Sequence, residues 1–144
     1  MAYRFTDHTA DYGVEVSAFT AEEAFCDAVR AMYEILFGQG AADLFRTGNR
    51  GTPEPIHLAE PSTTDLLHTW IATHLDAYYQ RQLVASGWRI RADTRKGRID
   101  GEIYFQNADN LNLKLETEIK GVTYHDLRAI STLERTQLHY IVDV

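Results

Sequence analysis

From Tyr12 to Phe19 the chain alternates, with Val14, Val16 and Ala18 apolar against Glu15 and Ser17. That is the period of a strand with one buried face. Thr20-Ala21-Glu22-Glu23 follows as a capping box, in which the threonine hydroxyl meets an exposed amide and Glu23 reaches back. The spacing then turns helical up to about Phe37, with Ala24, Phe25, Ala28, Met32, Ile35 and Leu36 on one side. Gly38 supplies a left-handed stop. The signal weakens between Gln39 and Pro61, where all 3 prolines fall, so this stretch reads as a connecting excursion with an extended piece near 55–58. A second cap at Ser62-Thr63-Thr64-Asp65 opens a wide apolar stripe of Leu66, Leu67, Trp70, Ile71, Leu75, Tyr78 and Tyr79, ended by Gly87. Beyond it, Trp88 to Asp93 and Arg98 to Phe105 flank a turn at Arg95-Lys96-Gly97 as a hairpin. Leu111, Leu113 and Leu115 alternate in a further strand leading to Glu118-Ile119-Lys120. Leu127 to Ile130 and Thr136 to Val144 close the chain as another hairpin, turning near Thr132 to Arg135.

This order is strand, helix, helix, then a run of strands. Helices segregated from strands predict an α+β, two-layer architecture with two helices packed on a mainly antiparallel sheet. At 144 residues, one domain over 1–144 is expected, with no internal repeat. Apolar residues make up 44% of the chain, enough for one core, but no stretch approaches the roughly 18 residues of a membrane span. The first residues lack the basic start and apolar run of a secretory signal, and Cys26 is the lone cysteine. Both features suit a cytoplasmic protein, with Cys26 a buried, inert thiol beside Phe25.

Charge narrows the partners. Fourteen basic against 21 acidic side chains leave a net charge of −7, the opposite of a nucleic-acid footprint. Only residues 89–98 are locally basic, and Arg89, Arg91 and Arg95 fit the wet face of a hairpin. No strong direct nucleic-acid binding is expected, and a cationic partner suits the chain better.

Phosphate loops, dinucleotide fingerprints, nucleophile elbows and zincin motifs are all absent from the sequence. Three segments remain chemically unusual. Asp7, His8 and Asp11 crowd a turn between two short strands, where turn chemistry alone explains Thr9, Asp11 and Gly13 but not the clustering. Lys120, Thr123, Tyr124, His125 and Asp126 place a cation, a hydroxyl, a phenol and an imidazole on one connection; a capped turn explains it equally well. His68 and His74, six positions apart on the second helix, lack metal-ligand spacing and read as solvated or half-buried. Asp143 interrupts an apolar strand end. If the fold brings the two ends together, Asp11, Asp143 and the carboxylate at Val144 would form an all-oxygen cation site; a solvated or salt-bridged Asp143 is the alternative.

His8-Thr9-Ala10-Asp11 with Gly13, then Glu118 to Asp126 (EIKGVTYHD), then Ile141-Val142-Asp143-Val144 together resemble the archease family over nearly the full chain. The resemblance implies a small α+β protein that assists an RtcB-type RNA ligase in tRNA splicing and RNA repair. Such a protein promotes attachment of GMP to the ligase histidine and repeated turnover, without sealing RNA itself. It implies metal-binding positions at Asp11, Asp143 and Val144, with calcium the first choice of divalent cation and manganese or magnesium the others. The required lysine falls on Lys120, and His8, Thr123, Tyr124 and His125 fall in the motifs that would meet the partner. Gly121 replaces a usual alanine, Thr73 stands near an expected acidic residue, and Leu113 stands where a histidine is common. An independent metal-dependent phosphoester hydrolase using Asp11, Asp143 and His125, and a chaperone-like interaction module, are the competing readings.

Overall fold

The computed structural model describes residues 3–8, 11–45 and 51–144, with residues 7 and 8 described as backbone only. Seven strands, two long helices and one short helix are present among the described residues: β1 (Tyr3–His8), β2 (Asp11–Ala18), α1 (Ala21–Phe37), the short α2 (Ala41–Leu44), β3 (Thr52–Ala59), α3 (Thr63–Arg81), β4 (Leu83–Asp93), β5 (Arg98–Asn107), β6 (Gly121–Ser131) and β7 (Thr136–Asp143). The caps read from sequence are in place. Thr20 accepts from the Glu23 amide and Ser62 from the Asp65 amide, each satisfying a donor that a helix start leaves open.

All strand pairs are antiparallel, and they divide into two sheets, β1-β2-β7-β6 and β3-β5-β4. The α+β class is as expected, but two sheets stand where the sequence suggested one. Helix α1 packs on β1, β2 and β7 and reaches β4, while α3 packs on β6, β3 and β4. Their apolar stripes meet the inner faces of the sheets in a core that includes Val14, Phe25, Met32, Trp70, Ile71, Ile103 and Tyr140. Cys26 is buried, and burial pushes its thiol pKa up to about 12, which leaves it inert.

Three elements differ from the sequence reading. Residues 111–120 form no strand: a 3-10 turn covers Ala108–Leu111, Asn112 takes φ 54°, and irregular backbone follows. The amides of Glu116 and Thr117 both donate to Leu36 O (2.7 and 3.3 Å), so this segment satisfies the open carbonyl end of α1. Its alternating leucines reflect a ribbon laid over a helix end. Gly87 does not end the second helix, which stops at Arg81 with Gln82 left-handed; Gly87 lies in β4 at a register shift. The closing hairpin is longer than residues 127–130 suggested, because β6 begins at Gly121 and absorbs the polar motif into a strand.

Candidate functional site

The register of β2 against β7 builds the site. Val14, Val16 and Ala18 lie opposite Tyr140, Leu138 and Thr136, and all six are buried on the face toward the helices. A slip by one residue would expose that whole set, so burial fixes the pairing. The other face then has no freedom, and Asp11 falls opposite Asp143. On the far side of β7, Asp143 pairs with Gly121, and on the far side of β2, Asp11 pairs with His8. Asp11, Asp143 and Gly121 therefore lie in one row on the outer face of the sheet, a row that His8 extends by backbone register.

Directly opposed residues carry Cβ atoms only about 4.5–5.5 Å apart, and like charges there are unfavourable. Asp143 is exposed, whereas Asp11 and Val144 are half-buried. A cation between the carboxylates would relieve the repulsion. Two carboxylates with the main-chain oxygens of Val144 make a hard, all-oxygen donor set, of the kind that suits calcium, manganese or magnesium. Among the described residues, no group of three or more His, Cys, Asp or Glu side chains converges to hold a metal. Further ligands would have to come from backbone or water.

Lys120 enters through its backbone, whose amide donates to Asp143 O at 2.7 Å. Its side chain is exposed, beside the buried Ile119. Ile119 is gripped from both sides by Tyr79 of α3: the phenol donates to Ile119 O at 2.8 Å and accepts from the Ile119 amide at 2.9 Å. Sequence reasoning gave Tyr79 a packing role. Its clamp fixes the residue next to Lys120, and no sequence signal marks it.

Thr123, Tyr124 and His125 lie on β6 rather than on a connection. Thr123 pairs with Ile141 and Arg128 with His139, so residues 124–127 stand opposite Tyr140 alone. This is a large bulge. Thr123 Oγ1 accepts from the His125 amide (2.9 Å), the capped-turn contact considered above. Asp126 takes φ 54°, and His139 Nδ1 donates to its carbonyl at 2.7 Å. His68 is half-buried, one of the two readings, and it is engaged there: its Nε2 donates to Val122 O at 3.0 Å, and its ring stacks on Tyr124 with centroids 4.0 Å apart at 10°. His74 is fully buried rather than half-buried, bonded to Trp70 O and the Trp88 indole. The side chain of His8 lies outside the described residues.

Part of the basic stretch is matched in register. Arg89 faces Glu102, Arg91 faces Asp100 and Arg98 faces Asp93 across β4 and β5. Opposed charges of this kind stabilise a sheet, while Arg95 and Lys96 lie in the turn beyond these pairs. Among the described residues, no helix is long and apolar enough to cross a membrane.

Helices laid against antiparallel strands, with two aspartates opposed at one sheet end, define the class as a small α+β protein carrying an acidic outer edge. A sequence model of the archease protein family (MTH1598/TM1083) matches residues 3–144, and the chain belongs to that family. The protein archease of Methanosarcina barkeri is 28% identical over 145 residues, covering 99% of this chain and 95% of the relative. The protein archease of Sulfolobus acidocaldarius is 28% identical over 144 residues, with 99% and 98% covered. In fold, the solution structure of Methanobacterium thermoautotrophicum protein 1598 superposes with a TM-score of 0.74 at 17% identity, covering 99% of both chains. A crystal structure from Thermotoga maritima, of an archease described as a possible chaperone, gives a TM-score of 0.57 at 20% identity, covering 96% of this chain and 94% of that one.

Proposed function

We propose that this protein is a non-catalytic activator of an RtcB-type RNA ligase, acting in tRNA splicing and RNA repair in the cytoplasm. It promotes transfer of GMP from GTP to the ligase's active-site histidine and supports repeated turnover. The observation that carries this reading is the register that sets Asp11 opposite Asp143, with the Lys120 amide bonded to the Asp143 carbonyl. Membership of the archease family supports it.

Asp11, Asp143 and the main-chain oxygens of Val144 would hold a divalent cation, calcium first and manganese or magnesium next. When bound there, the cation supplies positive charge against the charge that develops on a transferring phosphate. The chain's own residues prepare the place. Burial of Val14, Val16, Leu138 and Tyr140 holds the two carboxylates in one row, and Tyr79 fixes the backbone beside Lys120. Lys120, whose backbone amide is bonded to Asp143 O, would then orient a carboxylate or meet a phosphate. Thr123, Tyr124 and His125, with His8 at the row's edge, face the ligase.

The test is GMP transfer to the cognate ligase with and without this protein, repeated with Asp11→Ala, Asp143→Ala and Lys120→Ala. The expected outcome is stimulation by the wild type and a loss of roughly tenfold or more in each variant, the scale of one positioned charge in phosphoryl transfer. Undiminished stimulation by all three variants rejects the site. A chaperone-like role, suggested by the description of the Thermotoga relative, predicts instead that the variants retain full effect while the ligase's yield of soluble protein depends on the wild type.

A further inference from the structure

The proposed function leaves the basic residues of the β4–β5 hairpin unused. Between residues 89 and 104, five cations meet three carboxylates, in a chain whose net charge is −7. Alternation along β4 and β5 puts Arg89, Arg91, Arg98, Asp100, Glu102 and Tyr104 on the sheet face away from the core, because Ile99, Ile103 and Phe105 are buried on the other. Arg89, Arg91, Arg95, Lys96 and Arg98 are all exposed, and none is in an ion pair with another described residue. Neighbouring carboxylates are turned to other partners. Asp100 pairs with His57 Nδ1 at 2.8 Å, Asp93 accepts the Lys96 amide at 3.1 Å, and Glu22 of α1 accepts the Ala92 amide at 2.8 Å.

The turn that carries two of these cations is braced. Thr63 Oγ1 donates to Thr94 O at 2.9 Å, and the Glu60 amide donates to Gly97 O at 2.8 Å. Gly97 is buried with φ 65°, and a Cβ there would fall 2.1 Å from Glu60 O. A braced turn that leaves Arg95 and Lys96 in solvent offers fixed charge at little entropic cost to binding. The other end of the same face carries a ring. Tyr104 stands opposite Gly87, and apart from the chain neighbours of Gly87 no atom lies within 4 Å of where its Cβ would be. The position beside Tyr104 is therefore an open notch. Four of the five cations are arginines, whose planar fork suits phosphate oxygens. Cations along the backbone and an aromatic ring under a base are how proteins hold single-stranded nucleic acid. An acidic peptide would match the charge but brings no flat base to the notch.

We infer that the outer face of the β3-β5-β4 sheet binds single-stranded RNA. Arg89, Arg91 and Arg98 with the Arg95-Lys96 turn hold phosphates, and one base enters the Gly87 notch against Tyr104. DNA shares this chemistry; the choice of RNA rests on the proposed function, whose ligase acts on RNA. The complex is weak and salt-labile, as a net charge of −7 requires. Its surface is separate from the Asp11–Asp143 row, which lies on the other sheet.

The experiment titrates the isotopically labelled full-length protein with a uridine-rich single-stranded RNA at low salt and follows the backbone amide shifts. Saturable shifts centred on β4, β5 and their turn are expected. The logarithm of affinity should fall with that of salt at a slope of about −2 to −3.5, the value for three to five contacts on a single strand. Arg95→Gln combined with Lys96→Gln should make that slope shallower by about 1.4. Gly87→Leu fills the notch and leaves every cation in place; it should weaken binding about fivefold or more with the rest of the amide spectrum unchanged. Tyr104→Leu should show the same loss. Absence of saturable shifts, or shifts centred elsewhere, overturns the inference. So does equal binding of a polyglutamate peptide that Gly87→Leu and Tyr104→Leu leave untouched, which would make the face a dock for acidic protein. Either failure leaves the proposed function standing, because GMP transfer tests that separately. A protein that binds this RNA yet fails to stimulate its ligase keeps the surface and loses the function.

Discussion

Fully buried on α3, His74 holds one proton in one place. Its Nδ1 donates to Trp70 O at 2.8 Å, and its Nε2 accepts from the Trp88 indole at 2.9 Å, which only the neutral ring can do. Burial lowers its pKa to about 4. The unfolded chain binds this proton near pH 6.5, so below that pH the unfolded state takes up a proton that the native state refuses. The contribution is fully present above pH 6.5 and is lost as pH falls toward 4, a total on the order of 3 kcal/mol. Urea unfolding at pH 7.0, 5.5 and 4.5 should follow this slope in the wild type. His74→Gln, which can serve both partners but cannot titrate, should flatten it; an unchanged slope would assign the acid sensitivity elsewhere. Tyr79 offers a second prediction at this scale. Tyr79→Phe leaves the Ile119 amide and carbonyl without their shared phenol, costing about 1–3 kcal/mol. Hydrogen exchange at Ile119 and Lys120 should accelerate ahead of β6, which follows them, and uniform protection would refute the clamp.

Within elements, backbone constraints decide most of what can change. Gly101 sits mid-strand in β5, the central strand of its sheet, with φ 147°. A Cβ there would fall 2.1 Å from Arg89 O, a backbone atom that cannot swing aside. Gly101→Ala should therefore cost on the order of 3 kcal/mol, read as a lower midpoint in chemical unfolding. Gly87→Ala, with open space at its Cβ, is the milder control. The same distinction explains what the sequence disclosed. Both helices, their Thr20 and Ser62 caps and the β2 alternation were legible because each is a local pattern serving a local need. Residues 111–120 misled because Leu113 and Leu115 alternate over the end of α1, where Leu36 O, a distant carbonyl, takes the amides. The Asp11–Asp143 pair was legible as a conditional, needing only that the two strands meet. His68 and His139 were not, since a histidine aimed at a backbone carbonyl across the fold leaves no spacing to read.

At the scale of the whole molecule, two opposed carboxylates cost stability that the proposed cation would offset. Without a divalent cation, Asp143→Asn removes a charge opposite Asp11 and should raise stability by about 0.2–1 kcal/mol. A cation that binds only the native state stabilises it by mass action, about 2.7 kcal/mol at a hundredfold excess over Kd. Millimolar calcium should thus raise the melting temperature of the wild type by several degrees and leave Asp11→Ala and Asp143→Asn where they were. Chelation should return the wild type to its starting value; equal response in all three proteins would place the cation elsewhere. The pairing of Asp11 with Asp143 has one further effect, on time. It joins residues from opposite ends of the described chain, with both helices and the second sheet lying between them in sequence. Such distant pairings close late, because the entropy of a long loop must be overcome before the contact rewards it. A partly folded molecule can own its helices and its β4–β5 hairpin and still lack two carboxylates side by side. The arrangement that the proposed function requires therefore completes only once these distant strands have paired, and the acidic pair becomes a certificate that the rest of the described chain has finished.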